Sequence, residues 1–137
     1  MKSLHNVGAK QKISYREEAL ISVKGVGIDM EEVARFRACD PRKNKNFYRK
    51  IFTDKEIRYC MSKKDPYPHF TARFCAKEAV VKALGRALFR MNKIEITNDM
   101  NGKPAARIKE KNADYEVAVS LSHTKEYATA IALWLHY

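Results

Sequence analysis

The spacing of the apolar residues changes once along this chain, and that change limits the folds available to it. Residues 71–84 are rich in Ala, Val, Phe, Lys and Glu, and Gly85 follows them as a helix stop. After Gly85 the apolar residues alternate instead, at 93–97 and 115–121, and a long final strand is predicted at 127–135. Such alternation is typical of strands with one buried face. An early strand, then helices, then a run of strands predicts an α+β fold, with helices packed on one face of an antiparallel sheet.

Local signals predict the other elements. Thr53 and Glu56 form an S/T-x-x-E capping box, which opens a helix that ends near Met61. Asn101-Gly102 is the dipeptide of a tight hairpin turn. The remaining predictions are a strand at 23–28, a helix at 30–36 with Glu31 and Glu32 in its first turn, a short helix at 47–51, a loop at 65–68 and a returning strand at 104–108.

The length of 137 residues suits one domain, since two would each be too small to bury a proper core. We expect residues 1–22 to be an N-terminal extension and residues 23–137 to be the domain. The longest apolar run, 130–135, is far short of the roughly 20 residues that cross a bilayer, so no membrane partner is expected. Three cysteines without a C-x-x-C pair, and no secretory signal, favour a reducing compartment, here the cytoplasm.

The chain has a formal net charge of +11, which predicts an anionic partner. Residues 35–64 hold eleven basic and three acidic residues, so most of the surplus lies there. This segment is either a solvated helical face or a docking surface for an acidic molecule. Aromatic residues also alternate with its Arg and Lys residues, which leaves open a nucleic-acid-binding domain. These aromatic residues are Phe36, Phe47, Tyr48 and Tyr59.

Two acidic residues are candidates for metal chemistry. Asp29 ends the first strand, where it is either a functional side chain on a rigid element or a helix N-cap. Glu78 shares a helix face with Lys82, four residues later, and such pairs are often only surface ion pairs. This helix also carries Arg73 and Lys77 among small apolar residues. One carboxylate and three cations suit a site that holds Mg²⁺ and phosphate oxygens.

Two turns are weaker candidates. Residues 120–125, Ser-Leu-Ser-His-Thr-Lys, gather hydroxyl, imidazole and ammonium groups at a strand end, where they either bind a phosphate or form an ordinary turn. Residues 101–104, Asn-Gly-Lys-Pro, taken alone are a hairpin turn.

Four blocks follow one another along the chain: the strand end at Asp29, the helix that carries Glu78, the 101–104 turn and the segment that begins at Ser120. Together they resemble the holo-acyl-carrier-protein synthase family, the small bacterial-type 4′-phosphopantetheinyl transferases. The resemblance covers about residues 23–137. The matching blocks are Gly27-Ile28-Asp29 with Arg35 six residues on; the helix positions Arg73, Phe74, Lys77, Glu78, Ala79, Lys82, Ala83 and Gly85; Asn101, Gly102, Lys103 and Pro104; and Ser120 to Ala128.

The resemblance implies an enzyme that transfers 4′-phosphopantetheine from coenzyme A to a serine of apo acyl carrier protein, releasing adenosine 3′,5′-bisphosphate. It implies that Asp29 and Glu78 hold Mg²⁺ and that Glu78 or a magnesium-bound water takes the serine proton. It also implies that Lys82 stabilises charge on the pyrophosphate leaving side. Glu31 is expected to be a helix N-terminal acid rather than a third ligand. The residues that this resemblance assigns to coenzyme A are Arg73, Lys77, Lys82, Asn101, Gly102, Lys103, Pro104, His123 and Thr124, with Lys77 either structural or phosphate-binding.

The family also gives the basic segment a role. Acyl carrier proteins are strongly acidic, and Arg35 matches a family contact residue; Arg37, Arg49 and Lys50 are expected to join it in docking. The resemblance implies a homotrimer with sites shared between subunits, in which Ile131, Leu133 and Leu135 either pack at the trimer axis or fill an ordinary core. It implies no nucleic-acid partner. A non-catalytic member that binds coenzyme A or a carrier protein is a third possibility, which the intact Asp, Glu and Lys set disfavours.

Overall fold

The structure is a computed structural model that describes residues 20–86, 90–111 and 114–137. The predicted N-terminal extension falls mostly outside the described residues, although Ser22 already belongs to the first strand. The elements are β1 (Ser22–Glu32), α1 (Val33–Arg37), α2 (Lys45–Ile51), α3 (Asp54–Met61), α4 (Pro66–Leu84), a 3₁₀ turn (Met91–Lys93), β2 (Ile94–Asn98), β3 (Pro104–Ile108), β4 (Glu116–His123) and β5 (Tyr127–His136). The α+β class predicted from the sequence is confirmed.

The described strands form two antiparallel sheets rather than one. The larger sheet has the order β1-β5-β4, and the hairpin β2-β3 forms a separate pair. Helix α4 crosses one face of the larger sheet and contacts all three of its strands. No helix in the described part of the chain has both the length and the apolar character needed to cross a membrane.

Two glycines set the distance between β1 and α4. A Cβ atom on Gly27 would lie 1.8 Å from the Ala79 carbonyl oxygen, and one on Gly25 would lie 1.9 Å from that of Ala83. Only glycine therefore fits at either position while the strand lies directly on the helix backbone. This contact fixes the place of the β1 side chains relative to α4.

A second core lies beyond the sheet, where the short helices meet α4. It is built from aromatic rings, with the Tyr48 and Phe70 centroids 4.8 Å apart and those of Phe52 and Phe70 5.0 Å apart. Phe36 and Cys60 complete its buried part. The helices that carry the basic segment are thereby anchored to the same helix that covers the sheet.

Two sequence predictions of local structure were wrong. Residues 30–32 are strand, because β5 is long enough to pair with β1 as far as Glu32, opposite Tyr127. The helix therefore begins at Val33, and neither Glu31 nor Asp29 lies at a helix N-terminus. The loop predicted at 65–68 is the start of α4, because Asp65 accepts a hydrogen bond from the Tyr67 amide and Pro66 is tolerated in a first turn.

Candidate functional site

The structure brings Asp29, Glu78 and Lys82 together where β1 lies against α4. Asp29 alternates with Gly27 and so faces the helix, with 17% of its side chain exposed. Lys82 Nζ lies 3.2 Å from Asp29 Oδ1 and 2.9 Å from the Ile28 carbonyl oxygen. The lysine that sequence spacing pairs with Glu78 therefore bonds across to the strand instead. Asp29 is a strand residue facing a helix, not the N-cap considered as its alternative.

Negative charge is concentrated beside Glu78. Burial raises the pKa of the Glu78 carboxyl, and the nearby charge of Asp29 raises it further, while Lys82 opposes the rise. Two carboxylates that repel each other in this way form a ready pair of oxygen ligands for a divalent cation. Within the described ranges, no group of three or more His, Cys, Asp or Glu side chains is arranged to hold a metal. The donor set is thus a carboxylate pair, which suits Mg²⁺ with its retained waters.

Glu31 lies on the same face of β1 as Asp29, two residues along the strand. Its Oε2 accepts a hydrogen bond from Arg35 at 2.7 Å, and its Oε1 accepts one from the Glu32 amide at 2.9 Å. Glu31 was predicted to lie in the first turn of a helix, but it lies in β1, before α1 begins. The carboxylate is engaged by a cation of the basic segment.

A cationic and aromatic cluster lies beside β4, at the opposite edge of the three-stranded sheet from β1, which carries Asp29. Arg73 is 5% exposed, its guanidinium carbon is 3.9 Å from the Tyr59 ring centroid, and its Nε has no hydrogen-bond partner. Lys63 Nζ is 4.6 Å from the centroid of the same ring. His123 ends β4, with its ring centroid 5.2 Å from that of His69. Sequence reasoning found Arg73 and His123, and it named Tyr59 only for the nucleic-acid alternative. It missed His69, because the signal of that residue is spatial proximity alone.

The predicted hairpin turn at 101–104 is confirmed as a turn. Gly102 has φ of +81°, a conformation that glycine adopts without strain. Asp99, which the sequence analysis did not single out, organises the turn: its Oδ1 accepts hydrogen bonds from the amides of Asn101 at 2.8 Å and Lys103 at 2.9 Å. Pro104 begins β3, and the Lys103 side chain is exposed.

The hairpin and the 120–125 turn both reach the neighbourhood of Arg73. At the base of the hairpin, Asn98 Nδ2 donates to Tyr59 Oη at 3.0 Å. Thr124 Oγ1 accepts from the Glu126 and Tyr127 amides, so its hydroxyl belongs to an ordinary turn. Of the 120–125 candidates, His123 contacts the cluster through the ring of His69.

Lys77 is structural, which corrects its placement among the coenzyme A-binding residues. Its side chain is 0% exposed and forms an ion pair with the equally buried Glu56. Its Nζ also donates to the Ile51 carbonyl at 2.7 Å and to that of Met91 at 3.2 Å. Burial lowers the pKa of Lys77, and the Glu56 carboxylate opposes that shift. The lysine joins α4 to α2, α3 and the 3₁₀ turn, and it has no access to a ligand.

The four predicted docking residues have different surroundings. Arg35 is exposed apart from its bond to Glu31, whereas Arg37 is held by a two-fold hydrogen bond to Asp65, at 3.2 and 2.8 Å. Arg49 and Lys50 are exposed in the last turn of α2. Arg49 borders a groove between α2 and α3 that has three further basic residues and a partly apolar floor. The groove is lined by Pro41, Arg42, Lys45, Tyr48, Arg49, Asp54, Ile57, Arg58 and Met61.

A smaller apolar hollow opens beside Arg35, between α1, α2 and α4. It is lined by Glu31, Arg35, Phe36, Cys39, Phe47, Ile51 and Phe74. Two of the four aromatic residues that suggested nucleic-acid binding, Phe36 and Tyr48, are buried in the second core. Buried rings cannot stack on bases, so the aromatic argument for that alternative is weakened, although Phe47 remains exposed.

Comparison with known proteins identifies the family. Residues 25–132 match the 4′-phosphopantetheinyl transferase superfamily. The chain belongs to this superfamily. Among curated transferases, it is 39% identical over 111 residues to holo-acyl-carrier-protein synthase of Chlorobaculum parvum, covering 79% of this chain and 95% of that protein. It is 41% identical over 116 residues to the Chlamydia trachomatis protein of the same name, covering 80% and 97% respectively.

The transferase fold is equally clear from solved structures. A holo-acyl-carrier-protein synthase from Bacillus anthracis, in complex with CoA (3′,5′-ADP), superimposes with a TM-score of 0.72 at 29% identity, covering 84% of this chain and 98% of that one. The synthase from Plasmodium yoelii gives 0.71 at 28% identity, covering 86% and 98%. The resemblance drawn from the sequence motifs is confirmed.

Proposed function

We propose that this protein is a holo-acyl-carrier-protein synthase, which transfers 4′-phosphopantetheine from coenzyme A to a serine of an apo acyl carrier protein and releases adenosine 3′,5′-bisphosphate. One observation carries the proposal beyond family membership. Asp29, Glu78 and Lys82, from a strand and a helix far apart in sequence, converge at one point. Phosphoryl transfer to a hydroxyl mainly requires positioning and charge neutralisation, and two carboxylates with an ammonium group can supply both.

Asp29 and Glu78 would hold Mg²⁺, the divalent cation that suits a carboxylate pair with few other protein ligands. When bound, the ion neutralises charge on the pyrophosphate of coenzyme A. The raised pKa of Glu78 is due first to burial and then to the charge of Asp29, and a divalent cation bound between the two carboxylates would offset both. A raised pKa also suits Glu78 to accept the proton of the incoming serine hydroxyl.

Lys82 is assigned to the pyrophosphate. Its ammonium group already lies at the Asp29 carboxylate and remains half-exposed, so a phosphate oxygen can reach it. As the bond to the leaving phosphate breaks, negative charge grows there, and a fixed ammonium group stabilises that charge. The short bond to the Ile28 carbonyl holds the lysine in place before substrate arrives.

The nucleotide part of coenzyme A is assigned to the cluster around Arg73. His123, Lys103 and the 101–104 turn complete this assignment, with Thr124 shaping the adjoining turn. Strand register supports it: His123 is opposite Ala128 of β5, which is opposite Glu31 of β1. Two strand spacings separate the ends of that row, about 10 Å. A single extended molecule can therefore contact the acidic pair and the cationic cluster together.

The acidic carrier protein is assigned to the surface around Arg35. There an exposed arginine borders an apolar hollow, a combination that suits an acidic helix with apolar residues on one side. Arg49 and Lys50 extend the positive surface along α2, while Arg37 contributes less because Asp65 already binds it. The position of Arg35 beside Glu31, and so beside Asp29, would bring a docked serine to the metal pair.

The homotrimer remains part of the proposal, and the uncovered face of the sheet supports it. Val26, Ile28 and Met30 of β1 point away from α4 and are 57%, 64% and 69% exposed. Ile131 and Leu133 of β5 are their cross-strand neighbours on that face. A contiguous apolar sheet face of this kind is typical of a subunit interface.

Location in a reducing compartment, the cytoplasm, also remains a proposal. The free thiols of Cys39, Cys60 and Cys75 support it.

The decisive experiment is transfer itself. The protein is incubated with apo carrier protein, coenzyme A and Mg²⁺, and the carrier is examined by mass spectrometry for the addition of one phosphopantetheine. Transfer by the wild type and its loss in Glu78→Gln is the expected result. Coenzyme A binding without transfer would indicate a non-catalytic member. Binding of RNA or DNA with a steep salt dependence, and no transfer, would instead favour the nucleic-acid alternative.

A further inference from the structure

His69 lies within the cationic cluster, and neither its role nor its presence there was predicted from the sequence. It stands one helical turn before Arg73 on α4 and is half-buried. Its ring centroid is 5.2 Å from that of His123 on β4 and 6.2 Å from that of Tyr59 on α3. Two imidazoles therefore meet edge to face beside a buried guanidinium group.

Most of the groups that face His69 are basic. They are His123 from β4, Lys63 from the end of α3, and Arg73 from α4; the acidic residue Asp65, at the start of α4, is already bound by Arg37. Arg73 is nine-tenths buried or more and has a buried Nε without a hydrogen-bond partner. Buried polar groups are normally paired, so this atom indicates an anion that completes the site.

The charge state of His69 is linked to whether that anion is present. Burial lowers its pKa, and the positive charges of His123, Lys63 and Arg73 lower it further. In the empty cluster the imidazole is thus mostly neutral near pH 7. A phosphate with two negative charges would reverse the electrostatic part of the shift and favour the imidazolium, which then donates a charge-assisted hydrogen bond.

We propose that His69, together with His123, Arg73 and Lys63, binds a phosphate monoester and makes its affinity dependent on pH, so that binding takes up a proton at His69. The inference rests on the proposed function, since coenzyme A carries such a monoester on its ribose. It adds a specificity determinant: the protonated cluster distinguishes coenzyme A from the same molecule without its ribose phosphate, and it does so more strongly at pH 6 than at pH 8.

The test compares two small probes by calorimetry, without Mg²⁺, at pH 6 and pH 8. Adenosine 3′,5′-bisphosphate carries the 3′-phosphate monoester of coenzyme A, and adenosine 5′-monophosphate lacks this 3′-phosphate. For the wild type, we expect the preference for the bisphosphate to be about tenfold greater at pH 6, the effect of one charge-assisted hydrogen bond. In His69→Gln that pH dependence should shrink to the part due to the ligand's own titration. His136→Gln, which removes an exposed imidazole at the end of β5, should behave as the wild type.

A second measurement separates a charge effect from a packing effect. The imidazole proton of His69, followed by NMR, should titrate at higher pH when the bisphosphate is bound than when it is absent or replaced by the monophosphate. An unchanged titration, or equal pH dependence in His69→Gln, overturns this inference while phosphopantetheine transfer still upholds the proposed function. Failure of the bisphosphate and coenzyme A to bind at either pH overturns both.

Discussion

Lys82 bonds to Asp29, 53 residues away in sequence, with Nζ 3.2 Å from Oδ1 and 2.9 Å from the neighbouring Ile28 carbonyl. The lysine thereby neutralises one member of the acidic pair and leaves Glu78 with its raised pKa. With Mg²⁺ held by the Asp29 and Glu78 carboxylates, the Lys82 ammonium group would be available to a phosphate oxygen. The site thus keeps a net negative charge, only partly neutralised by Lys82, before its ligands bind.

Removing either carboxylate should abolish the effect of magnesium. We expect Asp29→Asn and Glu78→Gln to lose at least about 100-fold in kcat/KM, because the charge neutralisation that the site supplies is lost. Added Mg²⁺ should raise the melting temperature of the wild type but not of either variant, since binding stabilises the folded state by mass action. Glu116→Gln, at an exposed position on β4, is the matched control. A full magnesium response in Glu78→Gln would remove it from the metal site.

Lys77→Met should destabilise the protein strongly. The substitution leaves the Glu56 carboxylate buried without its cation, a loss of about 3–5 kcal/mol in the free energy of unfolding. Denaturant unfolding measures it. Combining the change with Glu56→Gln removes the unpaired charge and should recover part of the loss, because the amide oxygen can still accept one of the two hydrogen bonds that the carboxylate accepts from the Thr53 and Ile96 amides. If Lys77→Met were as stable as the wild type, the ion pair would not anchor α4.

The Arg37–Asp65 pair should make stability depend on pH on the acid side. The hydrogen bond from Arg37 holds the pKa of Asp65 below its ordinary value, despite partial burial. Its contribution is therefore present above the unfolded-state pKa, about 3.9, and is lost as the pH falls through the folded-state pKa. We expect Asp65→Asn to melt below the wild type at pH 7 and level with it near pH 2. If the difference in melting temperature stayed constant between pH 7 and pH 2, ionisation of Asp65 would be excluded as its cause.

The carrier-protein surface should respond to salt and to charge reversal. At low ionic strength, Arg35→Glu should raise the KM for the carrier about tenfold while changing that for coenzyme A little. Raising the salt should increase the wild-type carrier KM and narrow the gap to the variant. Arg107→Glu makes the same charge change at an exposed position of β3 and serves as the control. If both variants raised the carrier KM equally, the carrier would respond to the net charge of the protein and not to a docking surface at Arg35.

The uncovered sheet face should hold the subunits together. Ile28→Asp places a charge in the middle of that face, so we expect light scattering to show a smaller species than the trimer proposed for the wild type, with loss of activity if sites are shared. Ala105→Asp, at an exposed position of β3, should leave the assembly intact. A wild type that is monomeric at working concentrations would contradict the trimer directly.

The α+β class, the long helix and the hairpin turn followed from the sequence, because periodicity, the Gly85 stop and the Asn-Gly dipeptide act through neighbouring residues. The motifs also marked Asp29, Glu78 and Lys82. The end of β1 was misplaced, because the apolar spacing at 30–36 suited a helix while pairing with β5 decides its conformation. The local helix preference is overridden here, because the neighbouring strand supplies hydrogen-bond partners for the backbone.

By itself, then, the sequence determined the kinds of elements and most residue types of the candidate site. Only the tertiary structure decided which charges meet. Lys77 and Lys82 lie five residues apart on one helix, yet one is buried against Glu56 and the other reaches Asp29, because α4 packs on different elements on its different sides. His69 lies beside His123 for the same reason, because α4 packs against β4 on that side. A side chain's partners depend on contacts between distant segments, and those contacts exist only once Gly25 and Gly27 let β1 lie directly on α4.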